Sequence, residues 1–187
     1  MQPIFSIGHS NRSWNDFISL LLNNHVNILV DVRRYPGSRA YPQFNREEMA
    51  KQLKKEDITY VHIEKLGGRR RQLISAAGIR YNNNGWKNKS FKAYADYMIS
   101  AYFKEGINEM LSLLANYGNL VVMCSEVVPW RCHRRMIADY LTMIEGISVF
   151  DIIDNRQQPR FHKVTSFACL TGGDRNVIYP DYKLTNL

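Results

Sequence analysis

Five short apolar runs punctuate the chain, and the first four give way at once to glycine or to polar and charged residues. They are Ile4-Phe5-Ser6-Ile7, Asn27-Ile28-Leu29-Val30-Asp31-Val32, Thr59-Tyr60-Val61-His62-Ile63, Leu120-Val121-Val122-Met123-Cys124 and Ile147-Ser148-Val149-Phe150-Asp151-Ile152. Apolar runs of this length, rich in β-branched residues, predict buried strands. Helical spacing fills the intervals. Ser13-Trp14-Asn15-Asp16 is a capping-box pattern before Phe17, Leu20 and Leu21. Asn45, with Glu48 three residues on, caps a segment that turns Met49 and Leu53 inward. Phe91, Tyr94, Ala95, Met98, Ile99 and Tyr102 repeat at helical spacing, as do Ile107, Met110, Leu111 and Leu114 up to Gly118. Pro129 starts a further helix carrying Met136, Ile137, Tyr140, Leu141 and Ile144, with a stop at Gly146.

Strands alternating with helices predict a parallel sheet covered on both faces. The expected fold is α/β, a single domain over 1–187. Its core is a mostly parallel five-stranded sheet flanked by helices. Phe167-Ala168-Cys169-Leu170, Gly172-Gly173-Asp174 and Val177-Ile178-Tyr179-Pro180 read as a small C-terminal hairpin or edge addition. Residues 72–89, rich in Asn, Gly and Lys, read as a loop or lid.

Right-handed crossovers place the C-terminal ends of parallel strands on one rim, where α/β proteins bind ligands. Four of the five predicted strands end in chemistry. The first delivers His9, Ser10 and Asn11, and the second Asp31 and Arg33. The third delivers Glu64, Lys65, Gly67, Gly68, Arg69 and Arg70, and the fourth Cys124, Ser125 and Glu126. Residues distant in sequence are therefore expected to meet.

Charge sharpens this picture. The 187 residues carry a formal net charge of +8, which favours anionic ligands. Residues 1–80 hold 13 Lys+Arg against 7 Asp+Glu, so most of the surplus lies with Arg33, Arg34, Arg39 and Arg69-Arg70-Arg71. The expected partner is an anionic small molecule or nucleic acid. No apolar run is long enough for a membrane span, and the N-terminus lacks the pattern of a signal peptide. Three cysteines are too few and odd in number for a disulfide framework, so a reduced, cytoplasmic protein is expected.

The sharpest segment runs from Cys124-Ser125-Glu126 through Pro129-Trp130-Arg131 to Cys132-His133-Arg134-Arg135. A strand end leading into a helix N-terminus suits an anion and lowers a thiol's pKa. Cys124 or Cys132 is then a candidate nucleophile, with a small core residue as the plainer reading of Cys124. A zinc site of Cys124, Cys132 and His133 has weak support, because adjacent Cys-His side chains rarely bind one metal and no second close pair exists. No metal and no cofactor is assigned. The spacing from Cys124 to Arg131 is one residue too long for a tyrosine-phosphatase loop. Asp31, His9, Glu126 and His133 are the candidate acid/base or nucleophilic groups beside Cys124. Ser10, Asn11, Arg33, Arg39, Gly67, Gly68, Arg69, Arg70, Cys132 and Arg134 are the candidate phosphate-binding groups. His25 reads as a helix cap and His62 as core.

With these residues in place, the chain resembles the domain-of-unknown-function family number 488. The likeness rests on Ser6-Ile7-Gly8-His9-Ser10-Asn11, Asp31-Val32-Arg33 with Pro36-Gly37-Ser38-Arg39 and Pro42-Gln43-Phe44, and Leu66-Gly67-Gly68-Arg69. It continues with Tyr94-Ala95-Asp96-Tyr97-Met98, Cys124-Ser125-Glu126, Cys132-His133-Arg134, and His162 before Tyr179-Pro180. Family members more often end the fifth strand with a His-Ile pair, where this chain has Asp151-Ile152. The resemblance implies an α/β fold and a shared site, not a substrate.

Three functions follow in order of support. The first is an enzyme that hydrolyses or transfers at a glycosidic or phosphoester bond of a nucleotide or nucleic acid. The second is a non-catalytic nucleic-acid-binding module using Tyr35, Tyr41, Phe44 and Trp86 to stack bases. The third is a thiol redox or sulfur-transfer protein.

Overall fold

The central strand of the sheet is the one that ends in Cys124. The computed structural model describes residues 2–70, 82–173 and 175–181. Strands β1 (Ile4–Gly8), β2 (Ile28–Asp31), β3 (Thr59–His62), β4 (Leu120–Cys124) and β5 (Val149–Ile152) are parallel, and β6 (Arg160–Phe161) pairs antiparallel with β5. The order is β3-β2-β4-β1-β5-β6. β4 therefore lies between β1 and β2, with Gly8 opposite Cys124 and Asp31 opposite both Met123 and His62. The sheet has one strand more than the apolar runs predict. The two residues of β6 are exposed and carry no buried run, so hydrophobicity leaves no mark there.

The strand residues alternate between two cores, as period-2 geometry requires. Ile7, Leu29, Val121, Met123 and Ile152 pack with α1 (Trp14–Asn23) and α2 (Arg46–Lys54). Ile4, Ile28, Val30, Leu120 and Val122 face α3 (Lys89–Tyr97), α4 (Ala101–Tyr117) and α5 (Arg134–Met143). The hairpin of β7 (Cys169–Leu170) and β8 (Val177–Ile178) closes that second layer through Val177 and Tyr179. Truncating a fully buried strand residue such as Leu29 to alanine is expected to cost about 2–5 kcal/mol.

Local signals act largely as written. The Ser13 hydroxyl accepts from the Asp16 amide, and Gly118 ends α4 at φ 69°. Two differ. Asn45 precedes α2 but does not cap it. Its Oδ1 accepts from the Ser38 amide at 2.6 Å and ties the preceding loop shut. The long helical pattern from Phe91 to Leu114 is two helices, because Ser100 caps a new one by accepting from the Phe103 amide. Pro129 opens only a 3-10 turn, Pro129–Arg131, and α5 begins afterwards at Arg134. His25 stands exposed just past α1 at φ 52°, and the half-buried His62 donates from Nε2 to the Arg33 carbonyl at 2.8 Å. Among the described residues, no helix is long and apolar enough to cross a membrane.

Candidate functional site

The loops that follow β1, β2, β3 and β4 enclose a cavity of about 860 Å³ over the C-terminal ends of those strands. Ten expected residues line it: His9, Ser10, Asn11, Arg33, Gly68, Arg69, Cys124, Glu126, Cys132 and His133. The approach of these loops is close. The His9 amide donates to the Cys124 carbonyl and the Ser10 amide to the Ser125 carbonyl. A Cβ on Gly8 would fall 1.8 Å from the Glu126 carbonyl oxygen, so only glycine lets β1 leave the sheet beneath the β4 loop. Ser10 and Arg69 both take positive φ, 47° and 54°, a conformation that costs a non-glycine residue and recurs at functional sites.

Beneath one wall runs a buried polar chain. Arg33 donates to both carboxylate oxygens of Asp31, with Nη2 at 2.6 Å from Oδ2 and Nε at 2.9 Å from Oδ1. The Arg33 amide and the Tyr60 hydroxyl also donate to that carboxylate. Asp31 is 0% exposed and does not reach the cavity. Its candidate acid/base role gives way to a structural one, because its oxygens are engaged and no substrate can touch them. Burial, followed by the Asp31 charge and hydrogen bond, pushes the Tyr60 phenol far up.

His9 continues the chain. Its Nδ1–H donates to the Ser10 carbonyl at 2.9 Å, and its Nε2 accepts from Arg33 Nη1 at 3.2 Å. Its ring stacks on Phe44 with centroids 4.3 Å apart. Burial first, and the Arg33 charge second, lower its pKa to about 4, so the ring is neutral near pH 7. Neither ring nitrogen is left for a proton relay.

The opposite wall holds the sulfurs. Cys124 Sγ lies 3.9 Å from His133 Nδ1, and Cys132 Sγ lies 3.7 Å from the same atom. The three donor atoms are all within 4.8 Å of one another. His133 Nε2–H donates to the Val32 carbonyl at 3.1 Å, which leaves the Nδ1 lone pair facing the sulfurs. Both thiols are buried. A hydrogen bond from Cys132, then His133, holds the Cys124 thiol well below the ordinary range, while burial pushes Cys132 well above it. These three donor atoms could together hold a metal ion, at the site to which spacing alone gives weak support. Cys132 ends the 3-10 turn in an extended conformation (ψ 146°) and His133 is already helical (ψ −21°), and across this change of conformation the two side chains approach each other.

Four expected phosphate ligands do not line the cavity. Arg134 is 2% exposed and donates to the carbonyls of Ile7, Glu126 and Val127, bracing the β4 loop against the end of β1. Arg70 donates to the carbonyls of Glu64, Lys65 and Gly67 and lies 4.0 Å over the Tyr97 ring. Both guanidiniums satisfy backbone that a turn would otherwise leave unpaired. Arg39 is exposed outside the lining, and Gly67 packs against Arg34, whose Cα lies 2.9 Å from where a Cβ would be. Arg71, residues 72–81 and Asp174 lie outside the described residues.

Other arginines stand in the lining. Arg34 and Arg131 line the cavity with Arg69, and among the described residues none of the three forms an ion pair. Asn88 and Ser90 also line it, at the start of α3. The capping residue Asn88 falls at the end of the stretch 72–89 that reads as a loop, and its side chain accepts from the Ser90 and Phe91 amides. Of the aromatics considered for base stacking, Tyr35 and Tyr41 are exposed on the cavity. Phe44 is fully buried, and Trp86 packs among Phe91, Phe167 and Tyr179.

A second cavity, of about 430 Å³, borders β5 and β6. On its wall His162 Nε2 contacts Asp139 Oδ1 at 2.9 Å and Nδ1 lies 3.7 Å from Asp151 Oδ2. Asp139 also accepts from Thr165 and Tyr179, which pins the C-terminal segment to α5. Asp151 thus faces a histidine from elsewhere in the chain.

The family model described as Domain of unknown function DUF488 matches residues 13–141. That span includes Asp31, Arg33, Gly68, Arg69 and the whole stretch from Cys124 to His133. Neither the curated proteins nor the solved structures contain a match.

Proposed function

The chain belongs to the Domain of unknown function DUF488 family, a membership that brings no reaction with it, and from the cavity itself we propose a hydrolase or transferase acting on a phosphate-bearing nucleotide or nucleic acid. One observation carries this reading. The Cys124, Cys132 and His133 cluster shares a cavity with three arginines that have no carboxylate partner among the described residues. Arg34, Arg69 and Arg131 hold the phosphate, since guanidinium forks match its oxygens. Arg33, held by Asp31 and His9, adds a further positive charge to the lining. The cluster supplies the reactive centre, and the exposed carboxylate of Glu126 on the same wall moves the proton. A pure phosphate binder gains nothing from a carboxylate and two sulfurs in its site, which disfavours the binding-module reading.

The test is a turnover screen with the full chain over nucleoside mono-, di- and triphosphates, nucleosides and short oligonucleotides. The account expects product from a phosphate-bearing member, abolished in Cys124→Ser and slowed in Glu126→Gln. Full activity in both variants would remove the assigned roles, and turnover of nucleosides alone would remove the phosphate grip.

A further inference from the structure

We propose that Cys124, Cys132 and His133 hold a zinc ion whose fourth coordination position opens into the cavity. Tetrahedral zinc with two sulfurs and one imidazole nitrogen sets ligand-to-ligand edges of ~3.5–3.8 Å. The sulfur-to-Nδ1 separations, 3.9 and 3.7 Å, stand within a few tenths of that before any ion draws the ligands in.

Three further features are those of a built site. His133 is held through its other nitrogen by the Val32 carbonyl, the support that metal-binding histidines commonly have. Gly68 gives the ring its room, because a Cβ there would lie 2.8 Å from Nδ1. Cys124 sits at the end of β4 and Cys132 at the end of the 3-10 turn, both buried, while all three residues border the cavity. Two thiolates and an imidazole are soft and borderline ligands that select zinc over magnesium or calcium. Three protein ligands with one open position is the arrangement of a catalytic site and not of a closed structural one.

What the ion does there rests on the proposed function. A water in the open position loses a proton near neutral pH and becomes a hydroxide. Glu126 takes that proton. The hydroxide oxygen bonds to phosphorus, the bond to the leaving oxygen breaks, and Glu126 returns the proton to that oxygen. The balance is ester plus water giving alcohol plus phosphate. Whether the ion binds does not depend on this step.

The experiment measures metal on the purified full chain, stripped with chelator under reducing conditions and then titrated with zinc or cobalt(II). The expected result is about one zinc per chain, with protection of Cys124 and Cys132 from alkylation. Cobalt should give tetrahedral ligand-field bands and thiolate-to-cobalt charge transfer. Charge transfer should weaken in Cys132→Ser and vanish in the double serine variant, with Cys169→Ser as the control that keeps it. No uptake, unprotected thiols or octahedral cobalt in the unmodified chain would overturn the proposal without recourse to any variant. Zinc uptake without turnover in the substrate screen would leave the ion in place and sink the enzyme reading. Turnover by the metal-free chain would sink the catalytic ion and leave that reading standing.

Discussion

Arg33 donates from Nη1 to Nε2 of His9 across 3.2 Å, and the same histidine gives its only ring proton to the Ser10 carbonyl. The histidine that opens the rim is therefore neutral and fully engaged. Its contact holds one arginine nitrogen beside the cavity. Asp31 holds the rest of that guanidinium from below.

That relationship predicts distinct effects on binding and on folding. His9→Ala should weaken binding of a nucleoside monophosphate about tenfold, or ~1.4 kcal/mol, and should also lower the unfolding midpoint, because the buried ring stacks on Phe44. His9→Gln, which keeps an acceptor, should recover part of the loss. Isothermal titration calorimetry beside urea unfolding checks both.

Asp31→Asn leaves Arg33 buried without its counter-charge. The expected destabilisation is about 3–5 kcal/mol. Tyr60→Phe removes one hydrogen bond to the same carboxylate and should cost about 1 kcal/mol. Denaturant unfolding measures each, and the larger loss must belong to Asp31.

Gly68→Ala adds a single methyl against His133. The ring must move, so affinity for zinc should fall by about 10–100-fold, the usual effect of disturbing a ligand's support. Cobalt titration reads this directly, and unchanged affinity would show that His133 is not a ligand.

His162 gives the fold a pH dependence. Burial disfavours its charged form, but the hydrogen bonds and charges of Asp139 and Asp151 prevail and push its pKa up to about 9 from 6.5. A raised folded-state pKa stabilises most below the unfolded value. The contribution, at most about 3 kcal/mol, is complete below pH 6.5 and disappears as pH rises through 9. His162→Gln should therefore lose stability at pH 6 and approach the parent chain above pH 9, as urea unfolding at the two pH values would show.

Much of the site was legible because parallel strands oblige their C-terminal ends to meet. His9, Arg33, Arg69 and Cys124 could be gathered from strand ends alone. The directions in which arginines point could not, since Arg134 and Arg70 turn inward to unpaired carbonyls that exist only in the folded chain. Adjacent Cys132 and His133 argued against a shared metal by spacing. The passage from the 3-10 turn into α5 brings their side chains together, a local conformation that no periodicity records. The edge strand β6 was missed because two exposed residues carry no apolar run.

The most direct measurement of the central claim is a crystal structure of the full chain soaked with a nucleoside monophosphate. The account predicts the phosphate against Arg34, Arg69 and Arg131, facing the Cys124, Cys132 and His133 cluster. A nucleotide seated in the second cavity beside Arg135 and Arg160, with the arginines of the first left uncontacted, would contradict it.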